Sequence, residues 1–218
     1  VPVPGAAAIY DHVADLEATY AAYRAEQSRS SARVSQSERT RAEMLQANFN
    51  KGLEWLDPSS RIVWDYAVDI AKDMASHGFD EVNFDYVRFP ADGDIEKMDF
   101  PFWDAVRPKY ELISSFFSYL SDQLKNTDIA TSADLFGLAS WRALDFSFDL
   151  NIGQRLVDAL PYFNYVSPMV YPSHYPDNFN GIKNPSAKPY EIVYGSLVSW
   201  NQLKATSTYK AVLRPWLQ

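Results

Sequence analysis

The chain contains no cysteine among its 218 residues. This absence excludes a disulfide framework, a metal site built on thiolates and a cysteine nucleophile. It also leaves extracellular and cytosolic locations equally open, because cysteine usage is the feature that would distinguish them.

Basic charge is scarce as well. The chain has 20 Lys and Arg residues against 28 Asp and Glu residues, for a formal net charge of -8. Nucleic-acid binding needs clustered Lys and Arg to neutralise phosphates, so we expect no nucleic-acid partner. No apolar run approaches the roughly 18 to 20 residues of a bilayer span, and we expect no membrane span. Residues 1–8 lack the basic start of a signal peptide.

The signature motifs of several enzyme classes are missing. The chain has no GxGxxG or GxxxxGKS/T loop, no HExxH helix and no GxSxG elbow. Its three histidines, His12, His77 and His174, are too scattered to suggest a metal triad. We therefore expect neither a cofactor nor a metal ion.

Hydrophobic residues are abundant, and their spacing alternates along the chain between the helical period of about 3.6 residues and the strand period of about two. Hydrophobic residues make up 47% of the chain, enough for one globular domain. Residues 1–50 are rich in Ala, Glu, Arg and Gln without strand-like alternation, which predicts a helical segment. The predicted helices beyond it cover residues 62–77, 103–124, 152–160 and 190–205, and the predicted strands cover 79–89, 129–135, 165–170 and 211–216. This alternation predicts parallel βαβ units.

Four such strands fit either a doubly wound sheet or part of a barrel. Each predicted strand ends in polar or charged side chains followed by a loop. Barrel enzymes carry their chemistry at that edge of the sheet. We therefore expect an α/β fold of the (β/α)8 TIM-barrel type.

The first two strand ends carry carboxylates. The segment VNFDYVRFP has Asp85 at its end with Arg88 nearby, and Glu81 and Asn83 share its alternating face. A carboxylate at this point can act as a nucleophile or as an acid/base. The segment TSADLFG places Asp134 where the second strand becomes a loop. The structural alternatives are an ion pair between Asp85 and Arg88, and a capping role for Asp134.

The last two strand ends carry aromatic and polar groups suited to sugar binding. The segment SPMVYPSHY brings Tyr171, His174 and Tyr175 to one mouth, and LRPWLQ brings Arg214 and Trp216. Flat rings can stack on the apolar faces of pyranoses. The alternatives are a hydrogen-bonded structural histidine and a tryptophan that fills the barrel.

Several blocks in one order resemble a family of TIM-barrel glycoside hydrolases first described as a domain of unknown function. The blocks are WDYAVDIAKDMASHGFDEVNFDYVRFP, TSADLFG, NIGQ, SPMVYPSHY, NPSAKPYEIVYGSL and LRPWLQ, and the resemblance runs from Trp55 to Gln218. It implies that Asp85 ends the fourth barrel strand, Asp134 the fifth, MVYPSHY the sixth and RPWLQ the seventh. It further implies that Asp85 is the nucleophile, with Asp134 as the partner acid/base.

The N-terminal part departs from this family pattern. The resemblance implies three strands before the WLDP segment, whereas residues 1–50 show only helix-like patterns. We therefore predict two regions, a helical segment at 1–50 and a partial barrel at 51–218 with strands four to seven. An open barrel exposes apolar strand edges, so we expect a truncated gene product or self-association that covers the edge.

Three functional readings follow. The leading hypothesis is a glycosidase that cleaves a polysaccharide with Asp85 and Asp134. A carbohydrate substrate favours a secreted or cell-envelope location. The substrate would contact Asn83, Arg88, Tyr171, His174, Tyr175, Arg214 and Trp216. The second reading is a non-catalytic carbohydrate-binding or scaffolding remnant. The third is a hydrolase with Mg or Ca held by Glu81, Asp85 and Asp134, although no compact acidic cluster demands a metal.

Overall fold

Five short parallel strands form one sheet in the computed structural model, which describes residues 55–91, 93–205, 209 and 211–218. The helical segment predicted for residues 1–50 lies outside the described residues. The described unit, Leu56–Gln218, consists of a mixed α/β arrangement.

Helices and strands alternate along this unit. The helices are α1 (Arg61–Ser76), α2 (Lys109–Leu124), α3 (Gly137–Trp141), α4 (Leu156–Ala159) and α5 (Pro189–Ala205). The strands are β1 (Glu81–Phe84), β2 (Ala130–Phe136), β3 (Tyr165–Val170), β4 (Val212–Leu213) and β5 (Trp216–Leu217). Three 3-10 turns lie at Ile95–Lys97, Pro172–His174 and Pro185–Ala187.

The strands are ordered in the sheet as they are along the chain, β1-β2-β3-β4, and β5 also pairs with β3. Every pairing is parallel. β4 and β5 pair with successive halves of β3, so they form one edge that is interrupted at Arg214 and Pro215. The strands that the structure describes do not close into a barrel; they form an open sheet.

The two faces of the sheet differ in polarity. Partners in register point to the same face, which puts Asn83 beside Ser132 and Asp134 beside Ser167. Alternate residues form the opposite face, where Phe84, Leu135 and Val166 are buried in the main core. One face therefore carries the core and the other carries the polar groups.

Helices α1 and α2 cover the apolar face. α1 buries Trp64, Val68 and Ala71, which recur at helical spacing. The ring of Trp64 lies 5.4 Å from the ring of Phe116 in α2. A Schellman motif follows the end of α1 at Ser76: Gly78 has a φ of 81°, Gly78 N donates to Ala75 O, and Phe79 N donates to Met74 O.

The predicted elements are found with shifted ends. β3 has the predicted bounds, while α2 begins at Lys109 rather than at residue 103. The preceding residues form a turn in which Asp104 Oδ1 accepts from the backbone N–H groups of Val106 and Arg107. β1 stops at Phe84 because Tyr86 adopts a φ of 54°, outside the strand region. The last predicted strand is split at Pro215, which has no N–H to donate.

Candidate functional site

A small cleft opens at the carboxyl ends of β1, β2 and β3. Its volume is about 120 Å³. The cleft is lined by Asp85, Tyr86, Arg88, Asp134, Phe136, Gln154, Met169 and His174. The two predicted catalytic carboxylates therefore line one cleft, together with the predicted substrate ligands Arg88 and His174.

Asp134 is the buried carboxylate of this cleft, with an exposed fraction of 7%. Both of its oxygens accept hydrogen bonds from N–H groups. Trp216 Nε1 donates to Oδ1 at 2.9 Å, and Asn83 Nδ2 donates to Oδ2 at 3.0 Å. Because the donors come from strands on both sides of β2, the carboxyl group is held in one orientation.

The pKa of Asp134 is raised above its usual value, chiefly because burial disfavours the charged form. The hydrogen bonds from Trp216 and Asn83 lower this pKa, and the charge of Asp85 raises it. The effect of burial on this pKa is larger than the effect of the two hydrogen bonds. Asp134 therefore holds a proton to higher pH than an ordinary aspartate does.

Asp85 follows β1 and is exposed to solvent. Its Oδ1 accepts a 2.7 Å hydrogen bond from the backbone N–H of Tyr86. Tyr86 has a φ of 54°, a conformation that non-glycine residues seldom adopt and that often marks functional sites. The chain turns sharply here, since Arg88 N donates to Tyr86 O at 2.8 Å.

A hydrogen-bonded network continues from Asn83 across the polar face. Ser132 Oγ lies 2.8 Å from Asn83 Oδ1 and 2.6 Å from Glu81 Oε1. Arg214 donates to both carboxylate oxygens of Glu81, with its Nη1 2.9 Å from Oε2. These bonds from Arg214 are the main reason that the pKa of Glu81 is lowered. The network ties β1, β2 and the segment after β4 together beneath the cleft.

This network gives three predicted substrate ligands a second role. Asn83 and Trp216 bind Asp134, and Arg214 binds Glu81 while its guanidinium lies 4.3 Å from the ring centre of Tyr165. Trp216 is 49% exposed, so its ring remains open to a ligand even though its nitrogen is bonded. Contact of these three residues with a sugar stays a prediction.

Arg88 and His174 both line the cleft. The Arg88 side chain is buried, donates from Nη1 to Phe89 O at 3.0 Å and lies 4.9 Å from the ring centre of Phe136. His174 is exposed and meets the ring of Tyr171 edge-on at 5.1 Å. Tyr171 is not among the residues that line the cleft, and its predicted contact with a sugar stays a prediction.

Tyr175 has a structural position that does not support its predicted contact with substrate. Its side chain is 5% exposed and packs with Val170 and Ile192 in a second hydrophobic cluster. Its hydroxyl lies 3.0 Å from Ser196 Oγ in α5. Burial raises the pKa of Tyr175, consistent with a phenol that stays neutral in the interior.

Gln154 belongs to the cleft although the motif reasoning did not select it. It is 1% exposed and stands in the NIGQ segment between two strands. Its Oε1 accepts from Phe136 N at 3.0 Å, and its Nε2 lies 3.3 Å from Val87 O and 3.4 Å from Asp134 O. The sequence feature that could have indicated Gln154 is its place as a polar residue directly after Gly153 in the NIGQ block.

Within the described ranges, no three His, Cys, Asp or Glu side chains lie close enough together to hold a metal ion. Across the same part of the chain, none of the helices has the length and apolar character needed to cross a membrane.

A parallel α/β sheet with a polar cleft at its carboxyl edge is the arrangement of α/β enzymes, whose active sites lie at that edge. Residues 23–218 match the family described as "putative glycosyl hydrolase domain". The chain belongs to this family, and the family predicted from the sequence is confirmed. A comparison with curated proteins finds no match.

Proposed function

We propose that this protein hydrolyses glycosidic bonds in a polysaccharide, with Asp134 as the general acid and Asp85 as the partner carboxylate. The observation that carries the proposal is the unequal environment of the two groups. Asp134 is buried with a raised pKa, whereas Asp85 is exposed at the same cleft. Two carboxylates in contrasting environments are the arrangement that glycoside hydrolysis requires.

The proposed chemistry divides between these side chains. Protonated Asp134 gives its proton to the departing oxygen as the glycosidic C–O bond breaks. Asp85 attacks the anomeric carbon as nucleophile, following the family resemblance, and a glycosyl ester forms on its carboxylate. Water then hydrolyses this ester, with Asp134 taking the proton of the water, so that the sugar is released and both side chains return to their starting forms. The exposed rings of Tyr86 and Trp216, 63% and 49% accessible, are suited to stacking on sugar rings beside the cleft.

We also propose that the sheet is part of a (β/α)8 barrel with its polar face inward. Parallel pairing in chain order and the concentration of polar groups on one face support this. The edge residues Val212 and Leu217 are 50% and 57% exposed, as expected of an edge that further strands would cover. A crystal structure of the chain tests the proposal: additional strands pairing with the sheet support it, and a polar face open to solvent contradicts it.

Reducing-sugar release from a panel of polysaccharides tests the activity. The chain is compared with Asp85→Asn, Asp134→Asn and the control Asp128→Asn, an exposed aspartate before the opposite end of β2. We expect release by the unaltered chain and the control, and a loss on the order of 100-fold or more in each cleft variant. Equal release by all four proteins contradicts the proposed roles.

A non-catalytic carbohydrate-binding protein is the second candidate. One observation favours it: both oxygens of Asp134 are already engaged by N–H donors, as in a carboxylate that only braces strand ends. In that case glycan binding persists in Asp134→Asn while no polysaccharide of the panel is cleaved by any of the four proteins.

A further inference from the structure

The side-chain amide of Gln154 connects the two strand ends that carry the candidate carboxylates. On the β2 side, its oxygen accepts from Phe136 N and its nitrogen lies near Asp134 O. On the β1 side, the same nitrogen lies near Val87 O, two residues after Asp85. One buried group thus contacts the backbone on both sides of the cleft.

Only an amide of this length satisfies all three backbone groups. Its oxygen faces an N–H donor and its NH₂ faces two carbonyl acceptors, so rotating the amide by half a turn would leave donors facing donors. A hydrophobic side chain would leave Phe136 N, Val87 O and Asp134 O without this partner in a buried site.

The segment around Gln154 is itself fixed in place. Phe89 N donates to Ile152 O at 2.8 Å, a second link from this segment to the turn after β1. Gly153 has a φ of 82°, and a Cβ there would stand 2.7 Å from Ile113 Cγ1 and 2.8 Å from Lys109 O. The segment therefore presents Gln154 from a rigid position against α2.

We infer that Gln154 is a positioning residue that fixes the distance between Asp85 and Asp134. The inference rests on the proposed function for its catalytic consequence, while its geometric content can be tested without any activity. The turn at Tyr86 carries Asp85, and Val87 just beyond this turn is joined through Gln154 to the end of β2. This link, together with the bond from Phe89 N to Ile152 O, sets where Asp85 stands.

Two variants and one control probe this role. Gln154→Leu removes all three amide contacts. Gln154→Glu keeps the size and the acceptor for Phe136 N and, when protonated, can donate to one of the two carbonyls, so it remains informative if the leucine variant fails to fold. The control is Gln123→Leu, which alters an exposed glutamine of α2.

The first measurement is the electrostatic coupling between the two carboxylates. It is obtained from a carbon-13 NMR titration of the Asp134 carboxyl group. Asp85→Asn should lower the pKa of Asp134, and the size of this change reports how close the two groups are. We expect the change to shrink to about half or less in the Gln154→Leu background and to be intermediate with Gln154→Glu. Equal coupling in wild type and both variants overturns the inference.

The second measurement is of kcat and KM on a polysaccharide that the wild-type protein cleaves. Displaced carboxylates should lower kcat of Gln154→Leu on the order of 100-fold with a small change in KM, and Gln123→Leu should match wild type. Full kcat in both Gln154 variants overturns the positioning role while leaving the glycosidase proposal intact. If wild type cleaves nothing, the proposed function fails, and the NMR coupling alone decides whether Gln154 sets the distance.

Discussion

The indole Nε1 of Trp216 donates a 2.9 Å hydrogen bond to Asp134 Oδ1 across 82 positions of sequence. The bond joins the last strand of the sheet to the buried carboxylate of the cleft. It favours the ionised form of Asp134, whereas burial favours the protonated form. Trp216, which the sequence suggested as a sugar ligand or as a residue that fills the barrel, therefore lowers the pKa of the proposed acid against the larger effect of burial.

Replacing Trp216 by Phe should therefore raise the pKa of Asp134 further. A general acid must be protonated, so the alkaline limb of the pH dependence of kcat/KM should move to higher pH. Because phenylalanine retains a ring for stacking, KM should change little, whereas Trp216→Ala should move the limb and raise KM. An alkaline limb at the same pH in wild type and Trp216→Phe would show that this bond does not tune the acid.

The sequence located the site better than it described its contacts. Strand ends at Asp85 and Asp134 predicted that two carboxylates share one edge of the sheet, and both line the cleft. Periodicity assigns a residue to a face but does not name its partner. The bonds from Trp216 to Asp134 and from Arg214 to Glu81 join residues 82 and 133 positions apart, so only the folded chain reveals them.

Burial was equally hard to predict in the SPMVYPSHY block. His174 and Tyr175 are adjacent, yet one lines the cleft and the other is buried against α5. A 3-10 turn at Pro172–His174 rotates the chain between them, and strand alternation no longer applies there. Short irregular segments of this kind also explain the shifted ends of β1 and α2.

Tyr175→Phe tests the structural position of this tyrosine. The change removes the hydrogen bond with Ser196 and keeps the ring in its cluster, so the free energy of unfolding should fall by about 0.5–1.5 kcal/mol. Urea denaturation measures the loss, with Ser196→Ala as the reciprocal variant. Polysaccharide cleavage at a temperature where both proteins are folded should be unchanged. A raised KM with an unaltered free energy of unfolding would instead indicate that Tyr175 contacts the substrate.

Arg214→Gln should destabilise the fold in a pH-dependent way. Arg214 lowers the pKa of Glu81 in the folded state, so their pairing contributes stability above the unfolded pKa of a glutamate, and that contribution is lost as the pH falls through the lowered pKa. Both side chains are partly exposed, which limits the effect at neutral pH to at most about 1 kcal/mol. The difference from wild type should shrink in acid to what the contact of Arg214 with the Tyr165 ring contributes; a constant difference down to acid pH would contradict the ion-pair account.

Gly153→Ala should be more damaging than Gly78→Ala. Both glycines have a φ near 80°, so each alanine adds about 1–2 kcal/mol of backbone strain. Only at Gly153 would the new Cβ also collide with Ile113 and the Lys109 backbone, whereas nothing lies within 4 Å of it at Gly78. Thermal denaturation of the two variants measures the difference. Equal losses would show that the NIGQ segment is less tightly held against α2 than its contacts indicate.

The division of roles between Asp134 and Asp85 is tested most directly by leaving-group dependence. The measurement is kcat/KM of Asp134→Asn and Asp85→Asn on a natural polysaccharide and on an aryl glycoside whose phenol departs without protonation. If Asp134 is the acid, Asp134→Asn keeps most of its activity on the aryl glycoside and loses it on the polysaccharide, while Asp85→Asn loses both. Equal losses of Asp134→Asn on the two substrates would contradict an acid role for Asp134.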